Sequence, residues 1–175
     1  MDLAGAISED PNRLTEAEDW YEHSQVYADR VHDPNGLLEA ESLSTLAGIR
    51  KDQGELEQAR ELYSKARDIK AEALGERNSQ TAVVTNNLAL VLDRMGERDE
   101  AKRLFALFRD WLVVEFDRLG LGQNSAQLAL HLLARSQGIA TLSNTFQDRA
   151  FVDREVTAMC DWLDDQIKFC TSASS

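Results

Sequence analysis

An all-α chain built from antiparallel helix pairs, about seven helices stacked side by side, is predicted by three features of the 175-residue sequence. A block recurs at a spacing of 42: Leu46-Ala47, Gly54, Ala59 and Leu62-Tyr63 reappear as Leu88-Ala89, Gly96, Ala101 and Leu104-Phe105 (46 to 88, 54 to 96). Between the glycines, apolar residues recur at three- and four-residue steps, the helix period. Strand signals are nearly absent, since neither alternating apolar patterns nor Asn-Gly hairpin spacing between β-rich runs occurs. A unit one supersecondary element long cannot bury its apolar face alone, so near-copies must stack against each other.

Each element follows from its own residues. Residues 1–12 are small and polar around Pro11 and are expected to form a flexible arm. From 13 to 31, Leu14, Ala17, Tyr21, Ser24 and Ala28 keep helix period. His32-Asp33-Pro34-Asn35-Gly36 stops that run, because proline removes a donor and glycine accepts a left-handed cap. A second helix is expected over 37–53, ending at Gly54, and a third over 55–74. The third carries Leu56, Ala59, Leu62, Tyr63, Ala66, Ile69 and Ala73 before Gly75 breaks it.

Asn78 or Ser79 can cap the next helix by accepting from its free amides, and the run Ala82 to Met95 follows up to Gly96. A fifth helix is expected over 97–118, with Ala101, Leu104, Phe105, Phe108, Leu112 and Phe116. Trp111, Val113 and Val114 make it apolar nearly all round, which predicts burial between neighbours. Leu119-Gly120-Leu121-Gly122 reads as a loop, with Asn124 or Ser125 as the following cap. A short helix over 125–137 is expected to stop at Gly138, with a break over 138–146 and a long helix from about 147 to 169. The Ser-rich end, 171–175, is expected to be disordered.

A single long coiled coil is the competing helical reading. Gly54, Gly96 and Gly138 decide against it, because they also stand 42 apart (54, 96, 138). Glycine inside a helix costs roughly 1 kcal/mol relative to alanine, so three at one spacing predict three turns. The organisation that follows is a half unit at 13–36, full units at 37–78 and 79–124, and a degenerate unit from 125, all within repeats spanning 13–138. A capping helix over 139–170 completes it.

Composition bounds the activity. Nineteen Lys and Arg against 31 Asp and Glu leave a formal charge of −12, which disfavours nucleic acid and anionic lipid surfaces as partners. The excess is uneven: residues 1–36 hold nine acids and two bases, whereas 79–146 hold seven of each. Long-range attraction therefore favours cationic partners near the N-terminal end. Cys160 and Cys170, if on one helix, lie roughly 15 Å apart, too far to bridge. No apolar run approaches the roughly 20 residues of a membrane span, and the first ten residues lack the basic start and apolar core of a secretory signal. A soluble cytoplasmic protein with reduced thiols is the expectation.

The repeat resembles the tetratricopeptide family in its long form, as found in kinesin light chains. The residues that carry the resemblance are Leu46-Ala47, Gly54, Ala59, Tyr63 and Ala66, then Leu88-Ala89, Gly96, Ala101 and Phe105, together with Asn86-Asn87-Leu88-Ala89-Leu90. It covers roughly 13–138 and is strongest in 43–108; in the third unit Leu130 and Gly138 match, but His131, Ser143 and Gln147 replace the small, small and aromatic slots. The resemblance implies a right-handed α-solenoid whose concave groove, lined by the first helix of each pair, binds a peptide or partner protein.

On that basis the groove is expected to present Ser44, Gly48 and Lys51, then Asn86, Leu90 and Asp93, then Leu128, Leu132 and Arg135, with Asn87 and Arg94 at its edge. Asparagine carries a donor and an acceptor, so Asn86 and Asn87 suit the backbone of an extended peptide; a bond within the repeat or simple solvation is the plainer reading. Arg94 offers a planar fork for a carboxylate, unless Asp93 or Glu97 already takes it. Along the final helix, Val152, Val156, Met159, Cys160, Leu163 and Ile167 form one apolar stripe and Phe151, Ala158, Trp162 and Phe169 a second. A homodimer contact through Trp162 and Phe169 is therefore an alternative, as is a regulatory repeat domain of a larger enzyme or receptor.

Catalysis has little support. His23, His32 and His131 are not at metal-ligand spacings, and no His-Glu-x-x-His, Gly-x-Ser-x-Gly or phosphate-cradling glycine loop occurs. The cysteines have acids beside them, which disfavours a thiolate. No metal or other cofactor is expected.

Overall fold

A computed structural model describes Asp19, His23, residues 33–146 and residues 148–173, with backbone alone at 143–145, 149 and 169–173. The arm expected over 1–12 and most of the helix expected over 13–31 lie outside the described residues. Asp19 and His23 are helical, and His23 Nδ1 lies 2.6 Å from the Asp19 carbonyl one turn earlier.

Six α-helices and one 3-10 turn occur among the described residues, and no strand. They are α1 (Leu37–Asp52), α2 (Leu56–Leu74), α3 (Ser79–Met95), α4 (Arg98–Arg118), the 3-10 turn Gly122–Asn124, α5 (Ser125–Phe146) and α6 (Arg149–Ala173). Two compact units divide between Phe108 and Arg109, within α4.

In the first unit α1 packs on α2 and α2 on α3. The α1–α2 pair is antiparallel, since Glu41 meets Lys70 while Gly48 meets Tyr63 farther along α1 and earlier on α2. Its core holds Leu43, Ala47, Ala59, Tyr63, Ala66, Leu88, Ala89, Ala101 and Leu104, with Leu62 and Phe105 packed against it. Leu46 is buried as well, so leucines from successive repeats do enter the interior. Alanine recurs at 47, 59, 66, 89 and 101 because helix axes cross closely there, and a larger side chain would have to be accommodated at native packing density.

The turns repeat as the sequences do. Gly54 donates to the Lys51 carbonyl at 3.1 Å and Glu55 to Arg50 at 2.9 Å; Gly96 and Glu97 repeat this with Asp93 at 3.0 Å and Leu92 at 2.9 Å. Both glycines take a positive φ, 83° and 84°, the left-handed geometry that closes a helix by recapturing its last carbonyls. Asn78, rather than Ser79, caps α3, its Oδ1 accepting from Gln80 N at 2.8 Å.

Gly138 departs from this series. It lies inside α5, which runs unbroken to Phe146, so the turn and the break expected over 138–146 do not form. The third unit has changed spacing. Leu128 and Ala129 are buried, whereas Leu130, the expected partner of Leu88, is 54% exposed. The buried Leu-Ala pair thus recurs after 40 residues (88 to 128), and the small slot assigned to His131 is filled by Ala129. Opposite effects follow for two glycines of one series. Gly96→Ala forces a positive φ on a residue with a Cβ and should destabilise by about 1–2 kcal/mol. Gly138→Ala, with nothing within 4 Å of the added carbon, should stabilise by about 0.5–1 kcal/mol. Thermal melts of the two variants check both signs.

Tyr63 ties α2 to α1: a Cβ added at Gly48 would stand 3.3 Å from its hydroxyl. Burial, and secondarily the Asp52 carboxylate, pushes the phenol up from 10.0 to about 12. The native state therefore keeps a proton that the unfolded chain loses, so this contribution is intact below about pH 10 and is lost as pH rises towards 12, at about 1.4 kcal/mol per unit. Urea unfolding at pH 9, 10 and 11 should show a steeper loss in the wild type than in Tyr63→Phe.

In the second unit Leu112, Phe116, Leu121, Leu128, Ala129 and Ile139 are buried, and α5 packs on α6. Trp111, Val113 and Val114 are half-buried. The α5–α6 pair is antiparallel, because His131 stacks on Trp162 and Arg135 pairs with Glu155. Gly120 and Leu121 end α4 as the other glycine turns end α1 and α3, donating to Asp117 and Phe116, each at 3.0 Å.

Candidate functional site

Within the first unit, α1 and α3 lie beside each other and run in the same direction. At their starts, Glu41 of α1 and Ser79, Gln80 and Val83 of α3 line one cleft together with Lys70. At their ends, Arg94 Nη1 donates to the Lys51 carbonyl at 3.2 Å. The α1 positions 41, 44 and 51 and the α3 positions 83, 86, 87, 90 and 94 follow helical steps along these adjacent helices.

The expected site residues divide on this frame. Ser44 is half-buried and its hydroxyl donates to the Ala40 carbonyl at 2.8 Å, leaving oxygen lone pairs for a ligand. Lys51 is half-buried, with Nζ 3.3 Å from Asp52 Oδ1. Asn86, Asn87 and Leu90 are half-buried, and Asn86 already interacts within the chain. Arg94 is exposed, but instead of pairing with Asp93 or Glu97 it reaches the last turn of α1, where its charge meets the negative end of the helix on a carbonyl that also accepts from Gly54 N. Glu97 takes Arg60 at 3.2 Å. Gly48 is turned to Tyr63 and so forms the helix crossing rather than an open wall.

Leu128 is buried in the second unit, because the 40-residue step turns it inward, and it offers no open groove surface. Arg135 Nη2 donates to Glu155 Oε2 at 3.2 Å and holds α5 to α6. Trp162 is half-buried, its ring stacked on His131 of its own chain at a centroid distance of 4.6 Å, so that face of the indole is not available to a dimer partner. The side chain of Phe169 lies outside the described residues.

A pair the periodic reading passed over stands out. Lys70 is only 4% exposed and donates to Glu41 Oε2 at 2.7 Å, while the Glu41 side chain is 68% exposed. The spacing held a clue: Ala59, Tyr63 and Ala66 are buried on α2, and the next position of that stripe is Lys70. No group of three or more metal-ligating side chains occurs among the described residues, and no described helix is long and apolar enough to cross a membrane.

No curated protein and no solved structure matches this chain significantly. The family profile described as "Tetratricopeptide repeat" matches residues 12–70 and again 40–106, together more than half of the 175 residues. The matched span contains the paired helices, the glycine turns at 54 and 96 and the shared alanine-rich core. This chain belongs to the tetratricopeptide repeat family, whose members are generally modules of protein–protein interaction and mostly not enzymes.

Proposed function

We propose that this domain holds an extended peptide segment of a partner protein along the face shared by α1 and α3. The parallel placement of those helices, tied at one end by Arg94 on the Lys51 carbonyl, carries the reading. Asn87, with Asn86 beside it, bonds the peptide backbone; Leu90 contributes an apolar contact; Lys51 and the remaining donors of Arg94 select charge. The 42-residue spacing of the first two units (46 to 88) supports the long-repeat form of the family. Peptides selected from a random display library against the domain provide the test. Asn86→Ala with Asn87→Ala should weaken them about tenfold or more while the melting curve is kept, about the worth of one or two hydrogen bonds. Asn87→Ala alone guards against loss of the internal contact of Asn86. Unchanged affinity in both variants would discard the groove.

A second reading is self-association through the second unit. Leu142 and Phe146 stand one turn apart on α5 and are both exposed, so they form one apolar surface on that helix. Light scattering should then give a dimer mass for the wild type and a monomer mass for Leu142→Asp with Phe146→Asp; a monomeric wild type refutes it.

A further inference from the structure

We propose that the cleft between the N-terminal turns of α1 and α3 is a receptor for a basic side chain, arginine above all, of a bound peptide. The cleft has a volume of about 420 Å³ and is lined by Glu41, Lys70, Ser79, Gln80 and Val83. It is open to water and wide enough to admit one side chain.

Its charge arrangement is specific. The ammonium of Lys70 is buried, whereas the carboxylate it holds is open to water. Lys70 therefore tethers Glu41 Oε2 at 2.7 Å and leaves the rest of the carboxylate open to water. An acceptor held in place before binding loses less freedom when a guest arrives. A guanidinium fits such a group because its planar fork gives two parallel bonds to one carboxylate.

The remaining walls fit the same guest. Val83 is 51% exposed beside the charge, a surface for the aliphatic stem of arginine. The exposed Ser79 and Gln80 side chains supply neutral oxygen acceptors for the remaining donors. An anion has a weaker case: it must displace Glu41 to reach Lys70, and it approaches a chain whose formal charge is −12. The positive end of α3 opposes a cation, but it is a partial charge, and Asn78 already accepts from Gln80 N there. Glu41 carries a full one.

The cleft lies on the face assigned to the peptide, with Val83 one turn before Asn86 and Asn87. That the guest belongs to a peptide rests on the groove reading; that the cleft takes a guanidinium does not. N-acetyl-arginine amide titrated into the full chain, followed by NMR at the Val83 methyls and the Gln80 side-chain amide, tests the cleft. Saturable shifts are expected, absent with N-acetyl-glutamate amide, and weakened about tenfold or more in Glu41→Gln, the worth of one charge-assisted contact. Because Glu41→Gln strands the Lys70 charge, Glu41→Gln with Lys70→Met is measured beside it and should lose the shifts as well. Asn86→Ala with Asn87→Ala should leave arginine amide binding unchanged even where it abolishes peptide binding, so the two ideas fail separately. No shift with arginine amide, equal or larger shifts with glutamate amide, or undiminished binding in both Glu41 variants would overturn the proposal.

Discussion

Tyr63→Ala should lower the stability of the first unit by about 3–5 kcal/mol, the cost of removing a large aromatic from a packed core. The ring is only 3% exposed and belongs to a cluster that includes α1, α2, α3 and the start of α4. Ala47, Ala59, Ala66 and Ala89 of the same cluster are small, and a methyl group has no reach with which to fill the space. Tyr63→Phe separates the hydroxyl from the ring. It should cost far less, because the phenol oxygen meets the surface of Gly48 rather than a side chain built to receive it. Urea denaturation followed by circular dichroism measures both. A loss below about 1 kcal/mol for Tyr63→Ala would mean that the repeats do not share one interior.

The Lys70–Glu41 pair should respond asymmetrically. Glu41→Leu strands an ammonium that is 4% exposed and should destabilise by about 1–3 kcal/mol. Lys70→Met removes the buried charge and leaves Glu41 in water, where a carboxylate needs no partner; it should be neutral or stabilising. The pair's own attraction is modest, because one partner is 68% exposed and screened. Chemical denaturation of the two variants and of the double variant decides this. Equal losses from both single substitutions would mean that the bond itself, rather than burial of lysine, sets the energy.

Residues that act over short distances were legible in the sequence. Gly54 and Gly96 mark turns, because a left-handed cap is a local demand that glycine meets. Asn78 starts α3 for an equally local reason, a side-chain oxygen reaching an amide two residues on. Gly138 has the spacing of a turn glycine without its environment. The repeat step had shortened to 40 (88 to 128), Ser136 stood where a turn glycine was needed, and the helix continued. Leu128 consequently turns to the interior instead of the expected groove, and Trp162 has one face on His131.

By itself the sequence determined the helices of the first two repeats, the alanine and tyrosine that fill their crossings, and membership of a binding family, because period, caps and side-chain size are carried by neighbours in the chain. Tertiary structure alone decided that Lys70 is buried under an exposed Glu41, that Arg94 serves the end of α1, and that the third repeat has changed its step. Each of those depends on which groups meet across 20 to 43 residues of sequence, as in Arg94 on Lys51, Lys70 on Glu41 and Arg135 on Glu155. Burial and charge compensation arise only when those distant segments come together.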